Sequence, residues 1–223
     1  CEKYDWDGVE LDWQRHAFHL PENHAYRLRY TLTDLMRAIR QMADRVGLER
    51  GKPMLVAVRV GTTMESCRRI GYDIETWIKE GLCDIVIAAG TIGTDPGIEV
   101  DAFRDLIAGT NVRFYAGFDI DYTFAKRLIP DSKWSLAFNR GLAKRYWDGG
   151  VDGLYMFNWH ATETSRRPFL TTMGDAVSLE GTDKVYPALH RYERGKAEFR
   201  AGVEMNDRIY GETPVPLYRT ITG

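Results

Sequence analysis

Glu10, Asp12 and Gln14 stand two residues apart in the stretch YDWDGVELDWQ, residues 4–14, and Arg15 follows. Val9, Leu11 and Trp13 alternate with them. A period of two is that of a strand, so the two carboxylates and the amide share one face and the apolar side chains share the other. Polar groups on an enclosed face each need a partner. Alternation alone also fits an edge strand with one wet face. Two carboxylates flanking a pocket with aromatic walls can do acid/base work on a glycosidic bond: one protonates the leaving oxygen, and the other acts as nucleophile or activates water.

These residues need a scaffold, and the rest of the chain reads as one. After a loop over residues 15–29, Thr33 is placed to cap a helix over 34–46 that Gly47 ends, with Leu35, Ala38, Ile39, Met42 and Val46 as its apolar stripe. Apolar strands follow at 53–61, 83–89, 112–118 and 153–159. Helical patterns at 63–70, 73–80, 100–108 and 135–147 separate them. Strand and helix alternate in units of about 30 to 45 residues, the rhythm of an α/β fold with a parallel sheet. It predicts a (β/α)8 TIM barrel of which the chain carries the last five strands, strands 4–8. The chain opens at Cys1, without an initiator Met and a few residues before its first strand, so it is expected to be a piece of a longer protein whose N-terminal part supplies the other strands. Residues 1–168 are assigned to the barrel. Residues 169–223 are assigned to its closing helix and a tail, or to the start of an additional domain. There, 169–181 and the spacing of Tyr186, Leu189 and Tyr192 suggest short helices, and 214–221 a strand.

Ligands of parallel α/β sheets sit at the C-terminal ends of the strands. That rule selects Asp12, Gln14 and Arg15 from the first strand, with Glu10 pointing the same way as Asp12, Arg59 on the second strand, and the loop 90–97 after the third. It also selects Asp119 and Asp121 after the fourth strand, and Asn158, Trp159 and His160 at the end of the fifth. Glu10, Asp12 and Asp119 are the candidate catalytic groups, and the remaining residues are candidates for binding substrate. Arg59 either emerges at its strand end or is aimed at a carboxylate beside it. The loop 90–97 is glycine-rich and reads as flexible, but no nucleotide-binding sequence follows it.

Composition narrows the choice. The chain has 223 residues with 44% hydrophobic and 28% charged, the balance of a globular protein. A net charge of −2 gives no broad attraction to nucleic acid or to an acidic membrane. The 12 Tyr, 9 Phe and 6 Trp suit flat apolar surfaces such as sugar rings, although they are also ordinary core material. Cys1, Cys67 and Cys83 lack the spacing of a disulfide framework or a zinc site. No cofactor fingerprint is found. Glu10, Asp12, Asp119 and His160 leave an oxygen-rich metal site open as an alternative.

The stretch DGVELDWQ, residues 7–14, resembles the fourth-strand motif DGxDxDxE of the chitinase-like glycoside hydrolases. Asp7, Gly8 and Asp12 match that pattern, and Trp159 corresponds to its strand-eight tryptophan. Glu10 replaces an aspartate, and Gln14 stands where the resemblance puts the acid; a glutamine cannot supply that proton. The run GVELDW, the strand LVAVRV and the segment 71–84 are more similar to a set of bacterial glycoside-hydrolase-like barrel proteins. What this implies is a carbohydrate-acting barrel, a secreted or periplasmic location for the parent protein, and Glu10 and Asp12 as the carboxylates to watch. A carbohydrate-binding barrel without turnover is the other reading.

Overall fold

In the computed structural model, residues 3–15, 17–90, 94–119, 132–157, 167–193 and 212–221 are described. Five parallel strands form one sheet in sequential order: β1 (Gly8–Asp12), β2 (Leu55–Val60), β3 (Ile85–Ala88), β4 (Arg113–Asp119) and β5 (Gly153–Phe157). The helices between them are α1 (Ala25–Arg50), α2 (Met64–Arg69), α3 (Ile74–Lys79), α4 (Val100–Ile107) and α5 (Ser132–Asp148). The sequential parallel order is that of part of a TIM-barrel-like sheet. The sheet is open, and no closed eight-stranded barrel is formed by the described residues.

Local chemistry explains the rhythm. The last helix before each of β2 to β5 is followed by a glycine with positive φ, at Gly51, Gly81, Gly109 and Gly150, which turns the chain back toward the sheet. An aspartate then stands immediately before two of the strands. Asp84 accepts the Val56 backbone N–H at 2.7 Å, and Asp152 accepts that of Phe114 at 2.9 Å. Each thus holds the start of the preceding strand beside its own.

Register sorts the side chains into two faces. Val56, Val58, Val60, Val86, Ala88, Phe114, Ala116 and Phe118 are buried in the layer between sheet and helices. The opposite, inner face carries Glu10, Asp12, Arg59, Ile87, Tyr115, Tyr155 and Phe157 at alternate positions. Beyond β5, α6 (Arg167–Met173) and an antiparallel hairpin of β6 (Lys184–Glu193) and β7 (Glu212–Ile221) follow. Phe169, Met173, Leu179 and Val185 join the same buried cluster as the sheet. No described helix is long and apolar enough to cross a membrane.

Several expectations are corrected. β1 ends at Asp12, and the backbone turns over Trp13 to Arg15. α1 begins at Ala25 rather than near Asp34, so the anticipated 15–29 loop is shorter. Thr33 lies inside α1, where its hydroxyl accepts the Trp77 indole N–H at 3.0 Å instead of capping. Gly47 is also internal: a Cβ there would lie 3.1 Å from the Lys52 carbonyl, so it serves close packing and Gly51 ends the helix. The stripe is rotated toward Leu32, Met36, Ala43 and Val46, which leaves Leu35 46% exposed. Tyr186, Leu189 and Tyr192 lie on strand β6, not on a helix.

Candidate functional site

β1 and β2 bring the first two groups together. Their register sets Asp12 directly beside Arg59. Arg59 is fully buried and donates from Nη1 to Asp12 Oδ1 at 2.6 Å and from Nη2 to the Gly90 carbonyl at 2.6 Å. The same Asp12 oxygen accepts the Gln14 backbone N–H at 3.1 Å. Arg59 is therefore aimed at a carboxylate, the second of the two readings open in the sequence. A guanidinium with no exposure needs this matching, because an unpaired buried charge is costly.

Glu10 lies two residues earlier on the same face and is exposed. Its Oε1 accepts the Tyr155 hydroxyl at 2.8 Å. Tyr155 belongs to β5, four strands away from β1. In a flat sheet, four steps of about 4.8 Å would hold those strands about 19 Å apart, beyond the reach of the two side chains. The bond therefore requires the sheet to curl toward itself. Strands four apart face each other across an eight-stranded ring, and this is the curvature such a ring needs. Burial and the hydrogen bond to Glu10 both push the Tyr155 phenol well above its ordinary range, so it stays protonated and acts as the donor.

Phe157, next on the same face of β5, carries the Arg59 guanidinium 3.9 Å from its ring centroid and that of Arg15 at 5.4 Å. The Tyr155 and Phe157 rings are stacked at 6.5 Å. Arg15 itself is exposed. Its position follows from the turn after β1. There the Trp13 carbonyl accepts from the Tyr72 hydroxyl at 2.5 Å and the His19 ring at 3.1 Å, while the buried Trp13 indole packs against Tyr72 and Trp77.

Gln14 is fully buried, with its amide beside Gly61, where a Cβ would come within 3.3 Å of Nε2. The described part of the loop after β3 is pinned rather than flexible. Buried Asp95 accepts from the Thr62 hydroxyl at 2.8 Å and from the Gly97 N–H at 2.7 Å, and its carbonyl accepts the Tyr146 hydroxyl at 3.1 Å. Asp119 ends β4 in register with Phe157, and its side chain lies outside the described residues, as do Asp121, Asn158, Trp159 and His160. Among the described residues no group of three or more His, Cys, Asp or Glu is arranged to hold a metal ion.

Tyr155 and Phe157 are the residues that the sequence reading missed. The available signal was parity, since they alternate with Leu154 and Met156 on the face that the strand pattern also gives to Trp159. No protein-family model and no curated protein matches the chain. The α/β sheet and its alternating helices are compatible with a carbohydrate-acting enzyme superfamily.

Proposed function

We propose that the chain supplies strands four to eight of an eight-stranded (β/α) barrel that hydrolyses glycosidic bonds in a poly- or oligosaccharide. The observation that carries this reading is the exposed Glu10 carboxylate, held by Tyr155 from across the sheet and flanked by the Asp12–Arg59 pair. Glu10 is the group placed to give a proton to the leaving oxygen as the C–O bond breaks. Asp12, fixed by Arg59 and by the Gln14 backbone N–H, stabilises the positive charge that develops on the sugar ring. Water completes the hydrolysis, and its proton passes to a carboxylate of the site.

A carbohydrate-binding barrel without turnover is favoured by a different observation. Asp12 is already engaged by Arg59, and Gln14 brings a buried amide to the position of the acid in the resembling motif. The two readings separate when the full-length protein is assayed on a panel of polysaccharides and aryl glycosides. Hydrolysis that falls about 100-fold or more in Glu10→Gln, with binding retained, supports the first reading. An unchanged rate in Glu10→Gln removes Glu10 from the acid role. Binding without any hydrolysis by the unmodified protein selects the second.

A further inference from the structure

We infer that the saccharide bound at this site is acidic, and that Arg15 receives the carboxylate of a uronic acid residue. The inference deepens the preceding reading and rests on its placement of a saccharide against Glu10 and Asp12 on the inner face. The charges there are unequally committed. Arg59 is engaged by Asp12 and Gly90, and Glu10 by Tyr155. Arg15 is exposed, sits over the Phe157 ring, and has no carboxylate partner among the described residues. A guanidinium seated on an aromatic ring keeps the donors along its edge available, and their planar fork matches the two oxygens of a carboxylate.

The neighbouring groups point the same way. Phe157, the nearest aromatic wall, is already a seat for guanidinium groups, with Arg59 at 3.9 Å, so it offers less open ring face to a neutral sugar. Arg59 is neutralised by Asp12, which leaves the Arg15 guanidinium, among the described residues, as the cation open to an anionic ligand on this face. A substrate of this class would set its carboxylate on Arg15 and its glycosidic oxygen toward Glu10, with opposite charges serving different atoms of one molecule.

The test uses the full-length protein and calorimetric titration with tetrasaccharides of glucuronate and of galacturonate. The controls are the same oligosaccharides with their carboxyl groups reduced to primary alcohols. The expected result is tighter binding of the acidic forms, weakened by added salt. Arg15→Gln should lower that affinity about tenfold or more while leaving the reduced forms unaffected, and Arg15→Lys should recover only part of it. Equal affinity for acidic and reduced forms, no binding of either, or an unchanged affinity in Arg15→Gln would overturn the inference. Hydrolysis confined to neutral glycans would also overturn it while leaving the hydrolase reading intact. Acid-selective binding without hydrolysis would do the reverse.

Discussion

Arg59 is the residue on which the inner face depends. Its side chain is fully buried, whereas the Asp12 side chain retains 25% exposure. Arg59→Ala should therefore destabilise the fold by about 3 kcal/mol, the lower end for a broken buried pair because Asp12 can still meet water. Removing both partners together should cost less than the sum of the two single changes, and a double-mutant cycle by urea denaturation measures the difference. Equal and additive losses would show that the pair is not coupled. Arg59 was partly legible in the sequence, because a charge in an apolar strand demands a counter-charge and Asp12 was available. Glu10 was legible by alternation. Its partner was not, since nothing local to GLYMF says that Tyr155 meets a residue of the first strand.

At the scale of elements, the periodic middle of the chain read well and the contact-driven ends did not. The βα units could be counted because each has an apolar strand and a terminal glycine. The first turns of α1 are polar and basic, and tertiary partners support them: Arg29 pairs with Asp73 at 3.2 Å, and Arg68 donates to the Tyr26 hydroxyl at 3.0 Å. Such partners are not visible in a helical pattern. The β6 segment fails for a similar reason. Its tyrosines and leucine at spacings of three suggest a helix, and pairing with the distant β7 makes it a strand. How the hairpin is attached gives a sharp prediction. Gly141 of α5 faces β6 so closely that a Cβ would lie 2.2 Å from the Val185 carbonyl oxygen. That contact is with backbone, so no side-chain rotation relieves it. Gly141→Ala should cost about 1–3 kcal/mol, lower the melting temperature and speed amide exchange in β6 before β4. An unchanged melting temperature would mean that the hairpin shifts freely on the helix.

For the whole molecule, the order of elements was readable and the curvature was not, because a count of strands leaves the bend between neighbours undetermined. Burial throughout the molecule also sets how it responds to alkali. The Cys67 and Cys83 thiols are both pushed up from 9.0 to about 12 by burial. Burial raises the Tyr146 phenol as well. The native state then holds protons that the unfolded chain releases, so stability is intact below pH 9 and falls as the pH rises toward 12. Urea midpoints measured from pH 7 to about 11 should show that decline, with a shallower slope in the Cys67→Ala, Cys83→Ala double variant. Equal slopes would assign the decline to other groups. The Glu10–Tyr155 hydrogen bond carries a consequence for how the chain folds. Its ends are separated by 145 positions, so it closes only after the intervening crossovers have docked, and loop-closure entropy makes such long-range contacts slow to form. The Tyr155 support of the candidate proton donor Glu10 is therefore expected among the last features of the fold to form.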